Sequence, residues 1–378
     1  MKQVYLDYNA TTPVAPSVFE ALEPYLKTHF GNPSSSHVIG RASAEAIEDA
    51  RMHVAALLAV DREEIVFTAG GTDSNNLAIK GVMLADGKRG GHMIISTLEH
   101  PAVTEPAQFL QKLGCEVSVV PCDSSGVVDP RDVQAAIQPN TRMVSIIHAN
   151  NEIGTIQPLR EISEVCNRHS VLLHTDASQS TGKIRTFVDE LGVDLLTIAG
   201  HKIYAPKGIG ALYVREGIHL EPLLHGGDQE NGMRGGTENT AFIVGLGQAC
   251  KLANRCLDEA GERMSELRDR LYDRLCDGTG QNMTINGGAA SRLPNTLSLQ
   301  MPDCIGQELL ARCSEVCAST GSACHAELAA ISPTLAAIEL NATQAAATLR
   351  LSVGWYTSEE DIDYAASLLI GAWESMHV

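Results

Sequence analysis

No run of roughly eighteen apolar residues occurs in the 378-residue chain, which argues against a membrane-crossing helix. The opening Met1-Lys2-Gln3-Val4-Tyr5-Leu6-Asp7 lacks the apolar centre and small-residue cleavage site of a secretory signal, so the expected location is cytoplasmic. Paired cysteines are missing as well. The ten cysteines are scattered and none forms a Cys-x-x-Cys pair, so most are expected to be reduced, buried and inert, with one or two reactive. Basic residues are scarce: 28 Lys and Arg against 46 Asp and Glu leave a net charge of −18. Such a surface repels phosphate backbones, which speaks against direct nucleic-acid binding and would suit a basic protein partner. There is no internal repeat and no low-complexity segment.

What remains is an ordinary globular composition, 44% hydrophobic and 20% charged, in a chain long enough for two domains. Short β-branched runs alternate with helical patterns: Glu64 to Thr68, Met93 to Thr97, Val117 to Val120, Met143 to Ile147, Val171 to Thr175, Leu195 to Ala199 and Gly210 to Val214. They read as seven strands of a largely parallel α/β sheet with helices on both faces. Residues 240 to 280 turn helical, Asn295 to Gln300 reads as a strand, and helix and strand then alternate. The expected division is a large domain over 14–250 and a smaller α+β domain made of 1–13 with 251–378.

Several strands end abruptly in polar or glycine-rich sequence, and ligands of open α/β sheets bind beyond such ends. Gly70-Gly71-Thr72 opens a helical run from Asp73 to Leu84, offering free backbone N–H groups to a phosphate. Asp176 closes an apolar strand, where an aspartate ordinarily caps a helix. Lys202 follows the next strand, where a lysine is ordinarily a solvated charge. Together they suit pyridoxal-5'-phosphate (PLP), whose pyridine nitrogen needs a carboxylate and whose aldehyde needs an amine. His100, after another strand, is either a loop histidine or an imidazole available for proton transfer. Cys313 and Cys317 have the spacing of a metal pair, but with no other ligand motif nearby they read as core residues and no metal is expected.

The chain resembles the cysteine desulfurases of the NifS/IscS-like group, within the class V aminotransferases of PLP fold-type I. The resemblance runs in order through Tyr5-Leu6-Asp7-Tyr8-Asn9-Ala10-Thr11-Thr12, Gly31-Asn32-Pro33-Ser34-Ser35-Ser36-His37 and Gly70-Gly71-Thr72-Asp73-Ser74-Asn75-Asn76. It continues through His148 to Gly154, His174 to Gln179, His201 to Gly208, Arg234 to Asn239, Ser319 to Cys324 and Leu349 to Ser352. It implies that Lys202 bonds the cofactor aldehyde, Asp176 holds the pyridine nitrogen, Gln179 meets the ring hydroxyl and His100 stacks on the ring. Gly71, Thr72 and His201 would hold the phosphate, and Thr237 would reach the phosphate of a neighbouring subunit in a homodimer. Asn151 and Arg350 would bind the substrate carboxylate, with Asn32 beside them, and Cys324 would take the sulfur of L-cysteine for delivery to an acceptor protein.

Three positions depart from the family pattern. Ala199 stands where many desulfurases carry a phosphate-binding serine, Asp228 replaces a glycine, and His325 follows the nucleophile in place of Ser or Thr. Ala323-Cys324-His325 with a non-serine at 199 is similar to selenocysteine lyases, which makes that activity the alternative. An adaptor that only holds acceptor proteins would not need Lys202, Asp176, Cys324 and Arg350 together, and an aminotransferase would not need Cys324.

Overall fold

The computed structural model describes residues 2–87, 90–320 and 331–377. Twelve strands are described: β1 (Val4–Tyr5), β2 (Ile65–Thr68), β3 (His92–Ser96), β4 (Glu116–Val120), β5 (Thr141–Ser145), β6 (Leu172–Asp176), β7 (Leu195–Ala199), β8 (Gly210–Val214), β9 (Thr284–Ile285), β10 (Thr296–Gln300), β11 (Val316–Cys317) and β12 (Thr348–Ser352). Seven of them form one sheet in the order β2-β8-β7-β6-β5-β3-β4, parallel except for β8, which runs against both neighbours. The seven expected strands are present, with ends that differ by up to two residues: the run expected at Met143 to Ile147 is strand over Thr141–Ser145. Every residue of β2, β3, β7 and β8 is buried, as expected of strands covered on both faces. β5 and β6 begin half-buried, and the edge strand β4 exposes Glu116 and Val119.

The helices Pro16–Lys27 and Val38–Leu58, with the first half of Thr240–Thr279, cover one face of the sheet through Val18, Leu22, Val54, Leu57, Leu58, Ile243 and Leu246. The helices Gly71–Leu84 and Pro101–Lys112 cover the other through Leu77, Ile79, Met83, Val103 and Leu110. Helix Thr240–Thr279 bends at Cys256, which leaves helical backbone angles (φ −121°) while its Sγ contacts Leu252 O at 3.1 Å. Beyond the bend its apolar face changes partners. Met264, Leu267, Leu271 and Leu275 join a second core built on the antiparallel sheet β12-β10-β9 and on helix Glu359–Glu374. Cys313 is buried in that second core. The chain's first strand returns to it: β1 pairs in parallel with β11, Val4 opposite Val316.

Beyond β1 the segment 6–15 crosses from the small sheets to the tails of the large one. Leu6 N donates to Cys317 O at 2.8 Å, Tyr8 N to Ser352 O at 3.3 Å and Ala15 N to Tyr204 O at 3.0 Å. Where the two long helices of the sheet face cross, the packing leaves no room for a side chain. A Cβ on Gly247 would lie 2.6 Å from Cα and Cβ of Ala50. Backbone cannot move aside as a side-chain tip can, so G247V is expected to lose about 1–3 kcal/mol of stability, read as a lower urea midpoint.

Candidate active site

The tails of β6 and β7 leave the sheet side by side, with Asp176 opposite Thr197, and this adjacency brings Asp176 near the turn that carries Lys202. That turn, Gly200–Lys202, is closed by Gly200 N to Ile209 O and Ile203 N to Gly200 O, both 3.0 Å. The crossing segment wraps it. Thr12 N and Thr12 Oγ1 donate to His201 O at 3.0 and 3.1 Å, and Tyr204 N donates to Thr12 Oγ1 at 2.9 Å. The Lys202 Nζ donates to Asn9 O at 2.6 Å and Ala10 O at 2.9 Å. Tyr204 follows in left-handed backbone (φ +67°), a costly conformation for a bulky residue, held by a stack on Trp355 with ring centroids 3.9 Å apart. Its hydroxyl also accepts from Trp355 N at 2.7 Å.

Asp176 is buried, and both its carboxylate oxygens are held: Asn75 Nδ2 donates to Oδ2 at 2.7 Å and Ser178 N to Oδ1 at 2.9 Å. Asn75 had no assigned role in the sequence. The signal was there, since it lies one helical turn after Gly71 and therefore above the same helix start. Gln179 Nε2 donates to the same Asn9 O that Lys202 holds, at 2.9 Å. Lys183 was overlooked too; it is buried and donates to Gln179 O at 2.9 Å and Gln179 Oε1 at 3.1 Å.

Gly70 holds φ +141°, and a Cβ on Gly71 would stand 3.1 Å from Ser178 Oγ and 3.2 Å from Ala199 Cβ. The start of helix Gly71–Leu84 is thereby left bare, with backbone N–H groups and the exposed Thr72 at its mouth. Ala199 brings only a methyl to this mouth, whereas Ser178 brings a hydroxyl. His201 Nδ1 meets Thr11 Oγ1 at 3.1 Å. Burial first, and then repulsion from Lys202, Lys207 and Lys183, together lower the His201 pKa to about 4. So many cations around one imidazole, against the carboxylates of Asp176 and Asp7, fit a ligand carrying phosphate and carboxylate groups.

Arg350, 3% exposed on β12, already has partners. Its Nη2 donates to Asp7 Oδ1 at 2.7 Å and its Nη1 to Asn151 O at 3.1 Å, while buried Nε has no partner among the described residues. Asn151 therefore meets Arg350 through its backbone. Asn32 is not brought to this group: it is exposed, and its Oδ1 accepts from Ser34 N at 2.9 Å in a local turn. Thr237 is likewise exposed, after Gly236 at φ +112°. Residues 321–330, with Cys324 and His325, lie outside the described residues. The chain on either side of them is anchored at the site. Ser319 exchanges backbone hydrogen bonds with Arg350 at 2.7 and 3.3 Å, and Ser332 Oγ donates to Glu152 Oε2 at 2.6 Å.

His100 starts helix Pro101–Lys112, its Nδ1 accepting from Ala102 N at 3.1 Å. This leaves Nε2 as the nitrogen that can carry a proton toward the site. The ring is accessible, yet protein surrounds it closely enough that desolvation lowers its pKa; Asp176 opposes this and Lys202 adds to it. The preceding Glu99 ties β3 to β5, its Oε1 accepting from Ser96 Oγ at 2.6 Å and Ile147 N at 2.8 Å. Burial pushes the Glu99 pKa up to about 8 against those two hydrogen bonds, with a smaller push from Asp176. The folded state then binds a proton that the unfolded state releases between pH 4.5 and 8, so this group's contribution to stability falls as pH rises through that window. E99Q keeps the accepting oxygen and cannot ionise. Urea melts of E99Q are expected to depend less on pH than the wild type from pH 5 to 8.

Residues 4–365 match the family model described as Aminotransferase class-V. The chain is 46% identical over 370 residues to the cysteine desulfurase IscS of Dictyoglomus turgidum, covering 97% of this chain and 94% of that protein. Among solved structures it is similar to a NifS-like protein with a TM-score of 0.91 and 35% identity, over 99% of this chain and 100% of that one. It is also similar to a structure described as SspA in complex with cysteine, with a TM-score of 0.83 and 38% identity over 94% and 100% of the two chains. The chain belongs to the class V aminotransferase family of PLP fold-type I, in its NifS/IscS-like cysteine desulfurase branch.

Proposed function

We propose that this protein is a cysteine desulfurase: it converts L-cysteine to L-alanine and moves the sulfur onto Cys324 as a persulfide for an acceptor protein. The observation that carries the reading is the near full-length identity to a protein named cysteine desulfurase. A similar solved chain, described as in complex with cysteine, supports the choice of substrate. The selenocysteine-lyase alternative, which rests on Ala199 and His325, gains no support from these relatives.

PLP, once bound, supplies an electron sink that makes the Cα proton of the amino acid removable and weakens the Cβ–S bond. Lys202 is the residue to bind its aldehyde. Asp176, fixed by Asn75 and Ser178 N, keeps a proton on the pyridine nitrogen. The bare N-terminus at Gly71, with Thr72, His201 and the Ser178 hydroxyl, takes the phosphate, so Ser178 serves where Ala199 cannot. Gln179 meets the ring oxygen.

Arg350 binds the substrate carboxylate, exchanging its contact with Asp7 or Asn151 O for the ligand. With PLP and substrate bound, the Lys202 amine would take the Cα proton and return one to the product side. His100, with Nδ1 held by Ala102 N, would move protons through Nε2. The Cys324 thiolate attacks the substrate sulfur. One S–S bond forms, the Cβ–S bond breaks with its electron pair left on carbon, and protonation there completes alanine. The anchoring of both flanks of residues 321–330, at Arg350 and Glu152, supports delivery of Cys324 to this place.

The division into a cofactor domain over 14–250 and a small domain of 1–13 with 251–378 belongs to the same reading, with helix Thr240–Thr279 passing from one to the other. So does the homodimer. It is supported by the exposed Thr237 and by the apolar side chains of Phe19, Leu26, Phe30, Val38 and Ile39, exposed close together in the sequence.

The test is alanine release from L-cysteine by PLP-loaded protein with a thiol reductant to clear the persulfide. Wild type is expected to turn over, and C324A to lose at least about a thousandfold in rate. Equal rates in the two proteins would contradict the proposal.

A further inference from the structure

Among the described residues, Lys183 is the one deeply buried amine for which the mechanism has no use. It sits at the end of the turn Gln179-Ser180-Thr181-Gly182, where Gly182 adopts φ +75° and a Cβ on it would stand 2.9 Å from Ile203 Cγ2, next door to Lys202. Its hydrogen bonds run to Gln179 O and Gln179 Oε1, and not to a carboxylate. Both of these bonds are donated by the amine to Gln179 oxygens, so the oxygen end of the side-chain amide faces Lys183. The nitrogen end then faces Asn9 O, where an acceptor is waiting. Both neighbours demand the same orientation, and Lys183 is the one that enforces it from the oxygen side.

We propose that Lys183 is a positioning residue: by fixing the Gln179 amide it makes that side chain a permanent N–H donor toward the cofactor's ring oxygen and so favours the ionised form of that oxygen. The proposal rests on the PLP reading above. Hydrogen bonds donated to an anion stabilise it over its protonated form. The other charges felt at Lys183 are the cations Lys202 and Arg350, and burial together with these two drives its pKa down to about 7. His201, on the adjoining turn, feels the Lys183 charge in return. A buried amine without a carboxylate partner destabilises a fold, so its presence here asks for a function.

The experiment is a spectrophotometric pH titration of the visible band of bound cofactor in wild type, K183M, Q179A and the double variant, with PLP affinity of the apoproteins measured by fluorescence. K183M is expected to raise the pKa of the band by about one unit and weaken PLP binding about tenfold, while its apoprotein melts at a higher temperature than wild type. In the Q179A background the same change is expected to leave the band where Q179A alone puts it. An unchanged band pKa in K183M, or an equal shift with and without Gln179, overturns the proposal. Wild type without any visible band would instead overturn the PLP reading and leave the two failures distinct. Should K183M not fold, K183L, which likewise has no donor for Gln179 Oε1, is titrated in its place, and a raised or an unchanged band pKa decides in the same way.

Discussion

The backbone carbonyl of Asn9 accepts from Lys202 Nζ at 2.6 Å and from Gln179 Nε2 at 2.9 Å, and much of the site hangs on that one oxygen. Asn9 is 1% exposed, and its other polar atoms are taken as well. Its N–H donates to Ser352 Oγ, its Nδ2 to Thr296 Oγ1 and Asn151 O, and its Oδ1 accepts from Asn295 Nδ2. A buried polar knot with its partners in place is rigid, because breaking any strand of it leaves an unsatisfied group in low dielectric. This knot joins β10 and β12 of the small sheet to the tails of β6 and β7. It thus sets where Lys202 and Arg350 stand relative to each other.

Charge is the second constraint. Lys183, Lys202, Lys207 and Arg350 crowd a region around His201 that also holds the carboxylates of Asp176 and Asp7. Burial, with added repulsion from neighbouring cations, lowers the pKa values of His201 and Lys183, which is a cost the fold bears without ligand. Phosphate, phenolate and carboxylate groups relieve it. Stability is thereby given up in the apoprotein in favour of anion binding, the usual trade at functional sites. The Asp7–Arg350 ion pair limits the cost at one position.

The sequence made the sheet legible because strands covered on both faces are apolar throughout, and β2, β3, β7 and β8 are buried at every residue. The adjacency of Asp176 and Lys202 was legible for a related reason: consecutive parallel strands are neighbours, and β6 and β7 pair. The partners of these residues were not. That Asn75 would hold Asp176, that Asp7 would engage Arg350, or that Lys183 would orient Gln179 depends on side-chain directions across elements far apart in the chain. Hydrophobic periodicity carries no information about such pairs. Ala199 marked a missing hydroxyl, but only the packing against Gly71 revealed Ser178 beside it. Asn32 went the other way, with the structure leaving it in a turn of its own.

Two buried or half-buried lysines, 202 and 183, stand close to Gln179, and only one can be the residue that bonds the cofactor aldehyde. The measurement that tests the account most directly is borohydride reduction of PLP-loaded protein, followed by proteolysis and mass spectrometry of the lysine-containing peptides. The account predicts a pyridoxyl group on Lys202 alone. A pyridoxyl group on Lys183, or on neither lysine, would contradict it.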